Sequence, residues 1–388
     1  MSMTIGIVGS GAMGAGIAQV VAQAGHPVRL FDQDTAALTR AVAGLGASLR
    51  KLTEKGKLTA EAAAAAAARI SLATSLAELA GCHLVLEAIV EKLEVKQQLF
   101  RELEEVVGAE CLLATNTSSL SVTAIAAACQ HPARCVGIHF FNPAPVLPLV
   151  EVVAAAQTRP GLAEEVRALV QSWGKRPVLT QDTPGFIVNR VARPFYGEAL
   201  RILEEGLADM ATIDWALTEL GGFRMGPFAL MDFIGHDVNY RVTEAVFAAF
   251  FFDPRYRPSF RQKQLLEAGY LGRKTGRGFY NYAPGAEPPA PTRDAALGQR
   301  IVQRVLAMLI NEAADALYLG VAAAPDLETA MTAGVNYPQG LLAWANELGP
   351  AQVLATLDDL FAEYHDPRYR ASPLLRRLAS NHQLFELA

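Results

Sequence analysis

The sequence of 388 residues predicts an α/β domain followed by an all-α region that contains two copies of one helical unit. Three observations predict this architecture. Short apolar runs alternate with helical patterns in the first half, helical periodicity dominates from Ile187 onward, and the segment from Ile301 repeats the segment from Ile187. The length, the 51% hydrophobic content and the 19% charged content exclude a disordered chain and favour several domains, each with its own core.

Composition also excludes several classes of partner. The chain has 34 Lys and Arg against 39 Asp and Glu, so it lacks the charge of a general nucleic-acid or membrane-surface binder. No signal-peptide pattern opens it, and its apolar runs are shorter than the roughly 20 residues of a membrane-spanning helix. Its four cysteines lack metal-ligand spacing and lie in apolar runs. We therefore expect a soluble, cytoplasmic protein without metal, nucleic-acid or membrane partners.

Residues 1–182 are expected to form the α/β domain, with a parallel sheet covered by helices. A long helical insertion, residues 35–69, separates the second predicted strand from the third. It is predicted to be a helical hairpin that projects from the sheet and turns at Lys55-Gly56-Lys57. The predicted strands are residues 5–8, 28–31, 70–73, 84–87, 112–114, 135–138 and 149–153.

The helical half divides at a proline-rich segment. Residues 183–282 form the predicted first copy, residues 283–292 an extended linker, and residues 293–388 the second copy. Pro194 is expected to kink the first long helix. An offset of 114 aligns Ile187-Val-Asn-Arg-Val with Ile301-Val-Gln-Arg-Val.

A glycine motif joins the first predicted strand to a helix expected over residues 15–24. The motif is Gly9-x-Gly11-x-x-Gly14, and Asp32 ends the next strand. In this context glycines permit a tight turn and close approach of a pyrophosphate, and a carboxylate accepts hydrogen bonds from both ribose hydroxyls. The pattern predicts a Rossmann-like domain that binds NAD rather than NADP. A glycine-rich turn without a ligand is the alternative.

Polar residues follow two later strands. Ser118 and Ser119 are candidates to cap a helix near Val122 or to face the ligand cleft. His139 ends the following strand, and Glu151 stands in an apolar run where an ionised carboxylate is costly unless paired. A His–Glu pair is acid/base machinery, whereas a lone histidine is more often structural.

Taken together, the motifs resemble the L-3-hydroxyacyl-CoA dehydrogenase family from residue 4 to about residue 282. Longer bacterial members with a second copy of the C-terminal unit cover the rest. The run at residues 189–196, NRVARPFY, most resembles the 3-hydroxyadipyl-CoA and 3-hydroxybutyryl-CoA dehydrogenases of bacterial aromatic and butanoate metabolism. The other motifs are residues 9–14, 87–91 (EAIVE), 116–120 (NTSSL), 139–143 (HFFNP), 150–152 (VEV), 182–190 (DTPGFIVNR) and 226–227 (GP).

The resemblance implies NAD-dependent oxidation of a (3S)-3-hydroxyacyl-CoA to a 3-oxoacyl-CoA in fatty-acid, butanoate or phenylacetate-type aromatic catabolism. It implies His139 as general base, Glu151 as its orienting carboxylate, and Ser118 and Asn189 as ligands of the substrate oxygens. The active site is expected between the α/β domain and the first helical copy. The implied cofactor contacts are Gly9, Gly11, Gly14, Asp32, Glu91, Lys96 and Asn116, and the implied coenzyme A contacts are Ser48 and Lys55.

Charge on the helical insertion independently suits coenzyme A, because its basic residues supply local positive charge for an acidic nucleotide; a solvated helix face is the alternative. Arg193, one helical turn beyond Asn189, is a candidate to hold a distal carboxylate of the substrate, or else to form a salt bridge. The basic cluster on the insertion consists of Arg50, Lys51, Lys55 and Lys57.

Two questions remain open from the sequence: how the second copy associates, and which related function competes with the one implied. In shorter family members the single helical unit forms the dimer contact, so the second copy is expected to be non-catalytic and to make a pseudo-dimer within one chain; a homodimer is the alternative. A non-catalytic, crystallin-like NAD-binding protein and a β-hydroxyacid dehydrogenase are the competing functions, although no catalytic lysine motif of the latter is evident. The apolar stripe expected at the pseudo-dimer contact is Ile301, Val305, Leu309, Ala316 and Leu317.

Overall fold

The computed structural model describes residues 2–388, which divide into two compact units after Thr183. The first unit contains one sheet of eight strands with six α-helices. Its strands are β1 (Ile5–Val8), β2 (Val28–Phe31), β3 (Ile70–Ala73), β4 (Leu84–Glu87), β5 (Leu112–Thr115), β6 (Cys135–Phe140), β7 (Leu149–Ala154) and β8 (Arg176–Gln181). Its helices are α1 (Ala12–Gln23), α2 (Thr35–Glu54), α3 (Ala60–Ala68), α4 (Leu93–Val106), α5 (Val122–Ala126) and α6 (Leu162–Ser172).

The strands are ordered β3-β2-β1-β4-β5-β6-β7-β8. All neighbouring pairs are parallel except β6 and β7, so the prediction of a wholly parallel sheet is wrong at this pair. Only eight residues, 141–148, connect β6 to β7. A parallel connection needs a crossover of a dozen residues or more, so this short loop returns the chain antiparallel.

Sequence reasoning missed β8, which contains Pro177. Proline cannot donate a hydrogen bond to a sheet ladder and argues against a central strand. The structure agrees with that rule, because β8 pairs only with β7 and forms the edge of the sheet.

The helical insertion is a hairpin of α2 and α3, but it does not stand away from the domain. Leu38, Leu45 and Leu49 recur at helical spacing along α2 and are buried in one core with Ile17 and Val21 of α1. This apolar face packs the hairpin against α1, and only its opposite face is left to solvent.

The second unit is helical. Ala192 separates α7 from α8, and Pro194 lies in the first turn of α8, where proline fits because that turn lacks hydrogen-bond acceptors for its N–H groups. Residues 283–292 contain neither helix nor strand. The helices are α7 (Val188–Val191), α8 (Arg193–Glu204), α9 (Met210–Trp215), α10 (Pro227–Ile234), α11 (His236–Ala249), α12 (Phe260–Glu267), α13 (Ala295–Tyr318), α14 (Ala324–Gly334), α15 (Leu341–Leu348), α16 (Pro350–Tyr364) and α17 (Pro373–Ser380).

Helix α13 is the centre of the second unit and packs against α8, α15, α16 and α17. Of the predicted apolar stripe, Ile301, Val305, Leu309 and Ala316 are buried and Leu317 is half-buried. Within residues 2–388, no helix combines the length and hydropathy needed to cross a membrane.

Candidate active site

The glycine turn lies between β1 and α1, which begins three residues before the predicted start. Gly9 has φ +102°, and a Cβ on it would lie 2.5 Å from the Ala88 carbonyl oxygen. A Cβ on Gly14 would lie 1.9 Å from the Gly9 carbonyl oxygen. Gly11, by contrast, has no atom within 4 Å of its Cβ position, so a ligand has room to approach the backbone there. The turn thus has the form that a bound pyrophosphate requires.

Asp32 is fixed at the end of β2 by backbone contacts. Its Oδ2 accepts hydrogen bonds from the Ser10 N–H at 2.7 Å and the Ser10 hydroxyl at 2.8 Å, and its Oδ1 accepts one from the Asp34 N–H at 3.0 Å. Each carboxylate oxygen has further lone-pair capacity for ribose hydroxyls. Sequence reasoning missed Ser10; a hydroxyl between the first two glycines of the motif is the signal that identifies it.

A cleft of about 720 Å³ opens beside this turn. Its walls are mostly apolar, with Asp32 and the glycine backbone as the polar groups at one side, which suits an adenosine and its ribose. The residues present therefore fit the dinucleotide that the motif predicts. Lining residues include Gly9, Gly11, Phe31, Asp32, Ile89 and Val90.

Lys96 on α4 lies inside the domain, with only 1% of its surface exposed. Its Nζ lies 2.5 Å from Glu87 Oε1 and 3.2 Å from Glu91 Oε2. Glu87 also accepts a hydrogen bond from the Thr115 hydroxyl at 2.8 Å. The ammonium is thus held between two carboxylates, Glu87 and Glu91.

Glu91 connects the end of β4 to the loop after β5. Its Oε1 accepts hydrogen bonds from the Thr117 hydroxyl at 2.6 Å and the Ser118 N–H at 2.9 Å, and Ser119 contributes weaker ones. Burial raises the pKa of the Glu91 carboxyl, but Lys96 and these donors outweigh it, and the pKa lies below its usual value. The carboxylate therefore stays ionised and fixes the position of Ser118.

Neither Ser118 nor Ser119 caps α5, so that expectation is wrong. Ser121 caps it by accepting a hydrogen bond from the Ala124 N–H. The Asp182 carboxylate accepts further hydrogen bonds from the Val122 and Thr123 N–H groups, which accounts for the first turn of the helix.

His139 and Glu151 stand directly opposite each other on β6 and β7. His139 Nδ1 lies 2.7 Å from Glu151 Oε2, and the two residues are 5% and 0% exposed. An ionised carboxylate only accepts hydrogen bonds, so beside it Nδ1 carries the ring proton. The Phe141 ring packs against the imidazole with 4.5 Å between ring centroids. The predicted pair is therefore assembled and shielded.

Two further contacts hold the end of β6. Asn116 Oδ1 accepts a hydrogen bond from the Phe140 N–H at 2.8 Å, which ties the loop after β5 to β6. Lys175, which sequence reasoning missed, donates from Nζ to the Ala144 carbonyl at 2.5 Å and to the Leu147 carbonyl at 2.9 Å. Burial lowers the pKa of Lys175 to about 8.

A second cleft, of about 430 Å³, contains the predicted coenzyme A contact Ser48. Arg40, two helical turns before Ser48 on α2, lines the same cleft and pairs with Asp34 at 3.2 Å. Sequence reasoning did not select Arg40. Lys55 is exposed at the end of α2, and Pro145 lies on the opposite side of this cleft from the helix.

Asn189 lies on α7 in the second unit and is half-buried. The other predicted residues belong to the first unit. Of these, the glycine motif, Glu91, Asn116, Ser118 and His139 lie at or after the carboxyl ends of β1, β4, β5 and β6, whereas Ser48 lies on α2 and Lys55 just after it. The remaining basic residues of the insertion, Arg50, Lys51 and Lys57, are exposed.

A mostly parallel sheet with a glycine turn, an acidic residue after β2 and a buried His–Glu pair defines a dinucleotide-binding oxidoreductase domain. Residues 4–183 match the model of the 3-hydroxyacyl-CoA dehydrogenase NAD-binding domain, and residues 185–282 and 301–386 match the C-terminal domain of the same family. The chain therefore belongs to the 3-hydroxyacyl-CoA dehydrogenase family.

Individual relatives of the chain belong to the same family. The 3-hydroxyadipyl-CoA dehydrogenase of Escherichia coli K12 is 41% identical, with 97% of each chain covered. The human mitochondrial hydroxyacyl-coenzyme A dehydrogenase is 39% identical over 71% of this chain and 90% of its own length. A solved structure of 3-hydroxybutyryl-CoA dehydrogenase from Escherichia coli K12 superposes with a TM-score of 0.94 and 39% identity, covering 99% of this chain and 100% of the other. The predicted family, enzyme class and NAD cofactor are confirmed.

Cofactor choice can be tested at Asp32 and its neighbour Gln33, which lines the same cleft. We expect Asp32→Ala combined with Gln33→Arg to raise the kcat/KM ratio of NADP to NAD by roughly 10-fold or more, because a repelling carboxylate is replaced by an attracting charge. Steady-state kinetics with both cofactors measure the ratio, with Gln33→Arg alone as control. Equal use of both cofactors by the unmodified enzyme would refute this role for Asp32.

The Lys175 contact predicts a pH-dependent contribution to stability. Its pKa in the folded protein, about 8, lies below the ordinary 10.5, so the unfolded chain binds more protons between these values. The stabilisation by Lys175 should therefore rise as pH increases from about 8 to about 10.5. We expect Lys175→Met to lower the free energy of unfolding by roughly 1–3 kcal/mol near pH 10, because two carbonyls lose their donor.

Urea unfolding of both proteins across this pH range measures the difference. A difference between the two proteins that falls or stays constant as pH rises contradicts the prediction.

Proposed function

We propose that this enzyme oxidises the 3-hydroxyl of a (3S)-3-hydroxyacyl-CoA to a ketone, in catabolism of fatty acids, butanoate or aromatic compounds. The observation that carries the proposal is the buried contact of 2.7 Å between His139 and Glu151, on the sheet whose β1 end carries the glycine turn. A proton acceptor held by a carboxylate is what removal of a hydroxyl proton requires.

In this mechanism His139 is the general base. Its Nε2 accepts the proton of the 3-hydroxyl, while Nδ1 keeps its hydrogen bond to Glu151, whose negative charge stabilises the imidazolium that forms. NAD, when bound, accepts the hydride that leaves C3. The protein thus takes the proton, and the electron pair departs with the hydride, so the alcohol becomes a ketone.

Ser118 and Asn189 are assigned to the oxygens of the substrate, where charge shifts as the alcohol becomes a ketone. The placement of Ser118 supports its assignment. Its backbone N–H donates a hydrogen bond of 2.9 Å to the ionised Glu91 carboxylate, which fixes the position of the residue. Asn116 supports the same loop through its bond to β6. Positioning of this kind restricts the motion of the reacting groups and so lowers the activation free energy of the reaction.

Coenzyme A is assigned to the outer side of the α2–α3 hairpin and the cleft at Ser48. Arg40 lies in this cleft, Arg50 and Lys51 follow on the same helix, and Lys55 lies directly after its end. Such a concentration of positive charge matches the phosphates of the coenzyme, although the whole chain has a net charge of −5. All four cysteines are buried free thiols, which suits the proposed cytoplasmic location.

We also propose that residues 183–282 and 293–388 are tandem copies that form a pseudo-dimer within one chain, the second copy being non-catalytic. The support is a buried ionic network. Arg190 Nε lies 2.6 Å from Glu312 Oε1, and the Tyr256 hydroxyl donates to the same oxygen at 2.5 Å. Arg190 and Tyr256 belong to the first copy, and Glu312 to the second.

A second network contains the equivalent residues, with the arginine and the tyrosine now in the second copy and the glutamate in the first. Arg304 Nε lies 2.7 Å from Glu198 Oε1, and the Tyr369 hydroxyl donates to that oxygen at 2.6 Å. Offsets of 114 and 113 residues convert the first network into the second. This reciprocity is the property of a two-fold symmetric interface, here made between two segments of one chain.

The catalytic assignment predicts that His139→Gln lowers kcat for (3S)-3-hydroxybutyryl-CoA by roughly 10²- to 10⁴-fold while NAD affinity is retained. Glu151→Gln should also lower kcat, since it weakens the imidazole as a base without changing its shape. NAD reduction followed by absorbance measures turnover, and fluorescence titration measures cofactor binding. His131→Gln, at an exposed position, is the matched control.

Near-normal turnover in His139→Gln would eliminate the base assignment. No turnover of any 3-hydroxyacyl-CoA by the unmodified enzyme would eliminate the proposed function itself.

The pseudo-dimer predicts the effect of deleting residues 285–388. All four assigned catalytic residues remain, but the buried face of α8 loses its cover, Arg190 loses Glu312 and Asp315, and Glu198 loses Arg304 and keeps only Arg201. We expect the truncated chain to aggregate or to dimerise. Light scattering with steady-state kinetics tests this, and a truncated chain that stays monodisperse with the same association state as the full chain would refute the pseudo-dimer.

A further inference from the structure

Arg193, the first residue of α8, is buried without a counter-charge. Only 7% of its surface is exposed, one guanidinium nitrogen donates to the Thr243 hydroxyl at 3.0 Å, and its Cζ lies 5.0 Å from the centroid of the Tyr196 ring. Within residues 2–388, no carboxylate forms an ion pair with Arg193, and its Nε has no hydrogen-bond partner. The salt-bridge alternative drawn from the sequence is therefore wrong.

This environment is exceptional in the described chain. Each of the other five buried arginines has a carboxylate oxygen within 4.0 Å: Arg134 pairs with Glu104, Arg190 with Glu312, Arg201 with Glu198, Arg304 with Glu198, and Arg368 with Asp366. A buried guanidinium without a carboxylate partner raises the free energy of the folded protein. Burial lowers the pKa of Arg193, while Tyr196 and Tyr337 act in the opposite direction. A bound anion would relieve this cost.

A second orphaned polar group lies in the same cluster. Tyr337, from the second helical copy, is 6% exposed, and its hydroxyl has no hydrogen-bond partner within residues 2–388. It interacts electrostatically with Arg193 and Tyr196. Its ring centroid lies 5.8 Å from that of Phe195 and 5.0 Å from that of Phe223, so the hydroxyl is fixed among aromatic walls.

We propose that Arg193 and the Tyr337 hydroxyl form a carboxylate-binding subsite, which selects 3-hydroxyacyl-CoA substrates whose acyl chain ends in a second carboxylate. The inference rests on the proposed function, since Asn189, assigned to the reacting end of the substrate, precedes Arg193 by four residues, across the junction of α7 and α8 at Ala192. The second helical copy then has a role in specificity, because it supplies Tyr337.

The surroundings favour the end of an acyl chain over a phosphate of coenzyme A. One guanidinium with one hydroxyl suits the single charge of a carboxylate, and the aromatic rings of Tyr196, Phe195 and Phe223 suit the methylene groups before it. Phosphates are already matched by the separate basic residues of the α2–α3 hairpin.

The test compares two substrates that differ only at the far end: (3S)-3-hydroxyadipyl-CoA and (3S)-3-hydroxyhexanoyl-CoA. We expect the unmodified enzyme to prefer the first. Arg193→Met should lower the ratio of their kcat/KM values by roughly 10- to 100-fold, and Tyr337→Phe by about 10-fold, since each removes a hydrogen bond to a charged group. Tyr318→Phe, at an exposed position in the second copy, is the control.

Binding supplies a readout that does not depend on turnover. Calorimetric affinities for adipyl-CoA and hexanoyl-CoA, which lack the 3-hydroxyl, should show the same preference and the same loss. If Arg193→Met fails to fold, Tyr337→Phe decides, because it removes a single buried oxygen.

An unmodified enzyme that oxidises the hexanoyl substrate but shows no preference, or a preference that neither variant changes, overturns the subsite while the dehydrogenase function stands. An enzyme that oxidises neither substrate, yet binds adipyl-CoA through Arg193 and Tyr337, overturns the proposed function and leaves the subsite.

Discussion

Glu151 has no exposed surface and is placed against His139 only because β7 runs antiparallel to β6. Directly opposed residues on antiparallel strands have their side chains on the same face and close together. A parallel β7 would have required a long crossover, and its register would not have been fixed by the loop at residues 141–148. One change of strand direction in an otherwise parallel sheet thus creates the buried His139–Glu151 pair.

Other buried contacts of the first unit fix the positions of this pair and of the residues around it. The buried group of Glu87, Lys96 and Glu91 connects the ends of β4 and β5, and Asn116 extends the connection to β6. Lys175 ties down the loop that leaves β6. Each buried charge has a partner of opposite charge or a set of hydrogen bonds, as the cost of desolvation requires. Arg193 in the second unit departs from this requirement, because it has no carboxylate partner among the described residues.

Much of this was predictable from the sequence. Seven strands, the glycine turn and the His139–Glu151 pair follow from apolar periodicity, from motif context and from the cost of an unpaired carboxylate. The direction of β7 was not predicted, because periodicity does not encode strand direction; only the short loop does. The hydrogen bonds from the first turn of α5 to Asp182, and those from Thr117 and Ser118 to Glu91, join residues distant in sequence, and such contacts have no local pattern. Tyr337 was missed for the same reason, since its ring neighbours Phe195 and Phe223 lie far earlier in the chain.

The most direct test of the account is a crystal structure of the complex with NAD and a 3-oxoacyl-CoA, which together cannot react. The account predicts that the 3-oxo oxygen lies within about 3 Å of His139 Nε2 while Nδ1 remains hydrogen-bonded to Glu151. A complex in which another side chain of the protein occupies that position and His139 does not contact the 3-oxo oxygen would contradict it.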